Sequence, residues 1–169
     1  THLAYHDALT GLPNRLLLAE RLERALDCAR REGMSFAVHC IDLDQFKEVN
    51  DRFGHEAGDD LIRRTSFLLA SVCGPFDTLA RLGGDEFAIL LEGIGSDADV
   101  ECVARSVSEA FNRPLLLDGR ETEATASIGV ACSRPGDDAE QLLRNADIAM
   151  YGAKAAGKAR LAVFQPHMQ

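Results

Sequence analysis

The stretch ARLGGDEFAIL, Ala80 to Leu90, constrains the chain more than any other. Two apolar runs, DTLARL and DEFAILL, flank Gly83-Gly84, and a glycine pair between strand-prone runs predicts a hairpin closed by a tight turn. That pairing must be antiparallel, which already points away from a doubly wound parallel sheet. Asp85 and Glu86 then stand at the hairpin tip. Two adjacent carboxylates add nothing to packing there, so the turn has a second requirement besides reversing the chain.

The remaining elements follow from periodicity. Apolar positions at Leu18, Leu22, Ala25, Leu26 and Ala29 predict an amphipathic helix over 13–31, with Pro13 in its first turn. SFAVHCIDL, Ser35 to Leu43, is a nearly continuous apolar run ending in acids and reads as a central strand buried on both faces. The segment from Asp44 to Asp60 predicts a short helix around Phe46, Val49 and Phe53, a stop at Gly54 and a turn through Gly58, with a longer helix from Asp59. Ser96 and Asp99 form a capping box before a helix presenting Val100, Val103, Ala104, Val107 and Phe111. LLL, Asp118-Gly119 and the alternation Ala124, Ala126, Ile128, Val130, Cys132 predict a second hairpin. Asp138 and Gln141 cap a last helix with Leu142, Leu143, Ala146, Ala149, Met150 and Ala153 on its buried face, and RLAVF closes the sheet. Strands mixed with helices, joined partly by hairpins, give an α+β fold: a mixed, largely antiparallel central sheet flanked by helices.

At 169 residues and 46% apolar content the chain matches one domain, residues 1–169, with linker-like residues at both ends. No run reaches transmembrane length and no basic n-region precedes an apolar h-region, so the residues as given are expected to be soluble and without a secretion signal. A net charge of -9 argues against a nonspecific nucleic-acid or anionic-membrane surface. An anionic nucleotide would need divalent metal, because one like-charge pair at ~4 Å costs about 4 kcal/mol at an effective dielectric near 20. Cys28, Cys40, Cys73, Cys102 and Cys132 are scattered in apolar stretches without C-x-x-C spacing, which reads as reduced core thiols. The expected location is cytoplasmic, either free or as the cytoplasmic part of a membrane-anchored protein.

Two acid clusters stand out, Asp42-Leu43-Asp44 at a strand end and Asp85-Glu86 at the hairpin tip. On neighbouring strands these carboxylates would converge, and like charges held close are stabilised by a hard cation, magnesium or manganese. Taken singly, Asp44 reads as the N-cap of the next helix and Gly-Gly-Asp as a plain turn; their co-occurrence favours a site. His39, inside the apolar strand, reads as a satisfied core histidine, and His55 as structural.

HDALTGLPNR (His6 to Arg15), DLDQFKEVND (Asp42 to Asp51), FGHEAGDDL (Phe53 to Leu61), RLGGDEF (Arg81 to Phe87), ASIGVA (Ala126 to Ala131) and ADIAMYGAKAAGK (Ala146 to Lys158) stand in order along nearly the whole chain. With these blocks the sequence resembles the GGDEF family of diguanylate cyclases. The resemblance implies the palm-like nucleotidyl cyclase fold and the joining of two GTP molecules into cyclic di-GMP with loss of pyrophosphate. It implies that Asp42, Asp85 and the main-chain oxygen of Leu43 hold Mg2+ (or Mn2+), with Glu86 a second-metal ligand or a group close to the attacking hydroxyl. It implies that Asn50 and Asp59 read the guanine edge, a donor pair that adenine lacks. Lys47, Lys154 and Lys158 match phosphate contacts, with amides near Phe46 and Lys47 assisting. Deprotonation of the attacking 3′-hydroxyl is ascribed to metal coordination. Arg81 either pairs with an acid or decorates the strand; Asp7 and Arg15 fix the entrance to the fold.

One departure is informative. Many relatives carry an R-x-x-D product-inhibition motif before GGDEF, and the matching residues are Gly74-Pro75-Phe76-Asp77, so the arginine is missing. High-affinity product feedback is therefore expected to be lost or weakened.

The resemblance also implies a transient homodimer, since each half-site holds one GTP, and control by attached sensory or EAL-type domains. Two functions of different class remain open. One is the cyclase; the other is a GTP-binding module that tunes an attached EAL-type phosphodiesterase without cyclising. A purely protein-interaction role is the remotest.

Overall fold

The computed structural model describes residues 2–94, 97–117 and 119–168. Its elements run α1 (His2–Tyr5), α2 (Arg15–Glu32), β1 (Ser35–Leu43), α3 (Phe46–Phe53), α4 (His55–Val72), β2 (Thr78–Gly83) and β3 (Glu86–Ile94). They continue with α5 (Asp97–Ala110), β4 (Leu115–Leu117), β5 (Arg120–Thr122), β6 (Ala126–Cys132), α6 (Ala139–Ala155) and β7 (Leu161–Val163). The main sheet has the order β2-β3-β1-β6-β7, antiparallel throughout except for the β6–β7 pair. This is the mixed, largely antiparallel sheet flanked by helices that the patterning predicts.

β1 lies at the centre because its apolar run serves both faces. Ala37, Ile41 and Leu43 pack with Leu61, Ile62 and Leu69 of α4 and Val100, Ala104 and Val107 of α5. Phe36, Val38 and Cys40 pack with Leu18, Leu22 and Leu26 of α2 and Leu142, Ala146 and Met150 of α6. Burial of eight of its nine residues leaves β1 little freedom, so its C-terminal acids are held on a rigid support.

α6 approaches the sheet unusually closely. A Cβ at Gly129 of β6 would come within 2.1 Å of the Ala146 carbonyl and 2.2 Å of the Met150 amide, backbone atoms that cannot give way. The absent side chain therefore lets α6 lie directly on β6, which carries its last turn, with Lys154, down to the end of β1.

The structure corrects several local expectations. Pro13 precedes the helix rather than opening it: Asn14 is the N-cap of α2, its side chain accepting from Leu17 N, while Pro13 bridges His6. Gly58 is not a turn, since α4 already begins at His55; what the position requires is absence of a Cβ, which would clash with the Asn50 side chain. The strand after LLL is Arg120–Thr122, paired with β4 in a separate two-stranded sheet, and β6 begins only at Ala126. Asp118 of that turn and Ser96 of the capping box lie outside the described residues. Among the described residues no helix is long and apolar enough to cross a membrane.

Candidate functional site

The β2–β3 loop is narrower than the glycine pair suggests. Gly83 closes the ladder opposite Glu86, so Gly84-Asp85 forms the loop, with φ of 140° at Gly83 and 49° at Gly84. Side chains rarely adopt these angles, which is why both positions are glycine. Arg81 then fixes the turn. Its guanidinium donates to the Gly84 carbonyl at 2.7 and 3.1 Å and to Asp7 Oδ1 at 3.0 Å, so it pairs with neither tip acid. Burial works against the Asp7 carboxylate, but hydrogen bonds from Thr10 and Arg81 outweigh it and hold its pKa below the usual range.

β1 pairs directly with β3, placing Asp42 opposite Glu86 and the Leu43 amide 3.3 Å from the Asp85 carbonyl. Like charges facing across an antiparallel pair are unfavourable. Asp42 is the more buried; burial and the neighbouring Asp85 push its pKa up to about 7, against the pull of Lys154. Lys154 Nζ lies 3.0 Å from Asp42 Oδ1, yet no donor is aligned on that buried oxygen for a hydrogen bond. A buried, under-satisfied carboxylate beside a second one fits a hard divalent cation, with the Leu43 carbonyl available at the same strand end.

Glu86 lies on the same face of the sheet as Asp42 and feels its charge. It interacts with Asp147 on α6 and lines a hollow of about 250 Å³ with Arg15, Cys40, Leu82 and Arg144. Burial and then the Asp147 charge push Glu86 up to about 7. The motif blocks give Asp147 no role and give Arg15 only the entrance to the fold. The available signal was spacing: Asp147 lies two helical turns before Lys154, hence on the same face of α6.

The other candidates group in two places. Lys47, in the first turn of α3, and Lys158, just beyond α6, line one open concavity of about 530 Å³ with Asp44, Glu48, Asp51 and Arg52. Phe46 starts α3 and packs against the core. Asn50 rests on Gly58 in the first turn of α4, beside which Asp59 is exposed. Asp44, expected as an N-cap, is not one: Gln45 holds that place without a side-chain cap bond, and Asp44 instead accepts from Thr125, Ser127 and Ala159. His39 is buried as expected, its Nε2 3.2 Å from the Val100 carbonyl, but its Nδ1 has no partner.

A family model described as "Diguanylate cyclase, GGDEF domain" matches residues 4–160. The chain is 42% identical over 168 residues to the bifunctional diguanylate cyclase/cyclic di-GMP phosphodiesterase MucR of Pseudomonas aeruginosa, covering 98% of this chain and 24% of MucR. It is 42% identical over 165 residues to the diguanylate cyclase TpbB of the same organism, covering 95% of this chain and 38% of TpbB. The chain thus spans well under half the length of these curated relatives. The solved GGDEF domain of TpbB superposes with a TM-score of 0.93 at 38% identity over 96% of each chain. The GGDEF domain of DgcB from Caulobacter crescentus, solved in complex with cyclic di-GMP, superposes with a TM-score of 0.88 at 30% identity over 95% of this chain and 93% of that one.

Proposed function

Since the chain belongs to the GGDEF diguanylate cyclase family, we propose that it condenses two GTP into cyclic di-GMP and two pyrophosphates across a transient dimer of this domain. The observation that carries the reading is the convergence of Asp42 and Asp85 at the joined ends of β1 and β3, with Lys154 against them. In each half-reaction the 3′-oxygen of one GTP bonds to the α-phosphorus of the other, the α–β phosphoanhydride bond breaks, and pyrophosphate leaves.

Asp42, Asp85 and the Leu43 carbonyl would hold Mg2+ or Mn2+, and the remaining coordination positions suit phosphate oxygens and water. When bound, the cation would offset phosphate charge and lower the pKa of the attacking hydroxyl. Lys47, Lys154 and Lys158 supply positive charge for the triphosphate, aided by amides at the start of α3 near Phe46 and Lys47. Glu86, beside Asp147 of α6, would serve as a second-metal ligand or as a group close to the attacking hydroxyl. Asn50 and Asp59 read guanine: a carboxylate accepts from its N1 and N2 donors, and facing adenine that acceptor would be left unsatisfied. The domain acts inside a longer cytoplasmic chain under attached sensory or EAL-type domains.

The test is to incubate the purified domain at high concentration with GTP and magnesium and separate the products. Cyclic di-GMP supports the cyclase. A second reading, a GTP-binding module regulating a phosphodiesterase without cyclising, draws on relatives named only as cyclic di-GMP phosphodiesterases, such as NbdA of Pseudomonas aeruginosa. Magnesium-dependent GTP binding without turnover, even under forced dimerisation, would favour it.

Two further outcomes are expected. Gly58→Ala places a methyl where the Asn50 side chain rests, within 1.7 Å of its Oδ1, so Asn50 must leave. Calorimetry should show GTP affinity falling by roughly tenfold or more, about 1.4 kcal/mol; unchanged affinity would remove Asn50 from the base site. The turn Gly74–Asp77 closes on itself, with Asp77 Oδ2 accepting from Gly74 N at 2.7 Å, and Phe76 is 82% exposed beside it. Cyclic di-GMP should therefore not bind this turn tightly, and sub-micromolar binding abolished by Asp77→Ala would overturn that expectation.

A further inference from the structure

Asp44 lies between a proposed metal-holding strand end and a proposed phosphate-binding helix, yet its own oxygens are engaged elsewhere. Oδ1 accepts from Ser127 Oγ at 2.6 Å, and Oδ2 accepts from Thr125 Oγ1 at 2.6 Å and from the Ala159 amide at 3.0 Å. The first two donors are at the start of β6 and just before it. The third belongs to the loop that follows α6. The arrangement is stiffened from behind: Gln45 Oε1 accepts from Thr125 N at 2.6 Å, and Asp44 N donates to Thr125 O at 3.0 Å.

The α6–β7 loop has a backbone that needs such holding. Gly157 has φ of 129°, and the next two residues, Lys158 and Ala159, have φ of 64° and 49° although neither is glycine. Residues with a Cβ occupy this region at a cost and persist there only when neighbouring contacts fix them. The contacts bracket Lys158. Its amide donates to the Ala153 carbonyl at 3.1 Å, its carbonyl accepts from Arg160 Nε at 3.1 Å, and the following amide is the one bound to Asp44. Only the Lys158 side chain is left facing the concavity it shares with Lys47.

We infer that Asp44 is a positioning residue for the triphosphate: by clamping the Ala159 amide to the end of β1 and the start of β6, it fixes where the Lys158 ammonium meets the terminal phosphates. This rests on the GTP-binding reading above. It also accounts for a D-x-D sequence in which only the first acid is assigned to the cation, because the lone pairs of the second are committed to three protein donors. The substrate class it serves is a nucleoside triphosphate or another chain of linked phosphates, and its action runs through backbone geometry.

Sign separates the clamp from simple charge. Asp44→Asn removes a negative charge beside an anionic ligand, so electrostatics alone predicts tighter GTP binding. The clamp predicts weaker binding, since an amide offers one acceptor oxygen where three donors converge. Calorimetry with GTP and magnesium on wild type, Asp44→Asn, Lys158→Ala and the double variant measures this. The expected result is a loss of roughly tenfold for Asp44→Asn alone and less than about twofold when Lys158 is already alanine. The Ala159 amide should also exchange with solvent at least about tenfold faster in Asp44→Asn. Thr125→Val, which removes one donor and keeps the charge, should shift GTP affinity the same way by less, which covers the case in which Asp44→Asn folds poorly. Equal losses in both backgrounds, or tightening, would overturn the inference. If wild type binds no GTP, the proposed function and Asp44's role toward phosphate fall together, whereas unchanged amide exchange with GTP binding intact sinks the clamp alone.

Discussion

Asp85→Ala is expected to abolish cyclic di-GMP formation and, in metal-free buffer, to raise the melting temperature of the same protein. The two effects have one cause. Burial penalises charge on Asp42 and the neighbouring Asp85 adds to it, so the pKa of Asp42 rises to about 7. Without a cation Asp85 opposes ionisation of Asp42 on top of the cost of burial, and Lys154 offsets this only in part, since the pKa of Asp42 stays raised. Removing Asp85 relieves it. With ~2–4 °C per kcal/mol for a chain of this size, a rise of several degrees is expected. Catalysis moves the other way, because the proposed cation loses a carboxylate ligand; a loss of ~4 kcal/mol in transition-state stabilisation is about a thousandfold in rate. Product chromatography and thermal melts in chelator read the two quantities separately. Turnover within tenfold of wild type would remove Asp85 from the catalytic centre. A lower melting temperature would mean that Asp85 supports the fold rather than straining it.

The sheet and the acid pair were legible in the sequence because both are local signals. An apolar run such as Phe36–Leu43 suits a central strand by its length and β-branched content, and a glycine pair beside two acids marks a hairpin and its tip. Once β3 pairs with β1, Asp42 falls opposite Glu86 by register alone. The supports of the site were not legible, because each depends on a distant partner. Arg81 binds Asp7, 74 residues earlier, and Asp44 reaches Thr125, Ser127 and Ala159, 81 to 115 residues away, in a competition that no local capping preference anticipates. Glu86 adjoins Asp85 in sequence, but Asp85 lies in the loop while Glu86 opens β3, and the acid that acts on it most is Asp147 of α6, which no local signal places there. Gly58 misled in a different way. Glycine usually marks flexibility or a turn, but here the requirement is space for Asn50 inside a helix.

The titration of the site gives the second large effect. Asp42 is raised from 3.8 to about 7 and Glu86 from 4.5 to about 7, so between those limits the folded protein binds more protons than the unfolded chain. Stability must then fall as pH rises through this window. One isolated group shifted by roughly three units would contribute about 4 kcal/mol at ~1.4 kcal/mol per unit, and partial exposure reduces that to a few kcal/mol for the site. His39 acts in the opposite sense. Its pKa is lowered by burial, so its contribution to stability increases with pH up to its ordinary 6.5. Asp7 is lowered too, and its stabilisation is lost only as pH falls below 3.8. A difference measurement removes both. In chelator, Asp42→Asn should melt close to wild type at pH 5 and several degrees above it at pH 8. Adding manganese at pH 8 should raise the wild type and leave Asp42→Asn nearly unmoved, whereas at pH 5 the cation must displace protons and its effect on either is small. A pH-independent difference would show that Asp42 stays ionised throughout and that the neighbouring acids do not share the proton on which this account of the site depends.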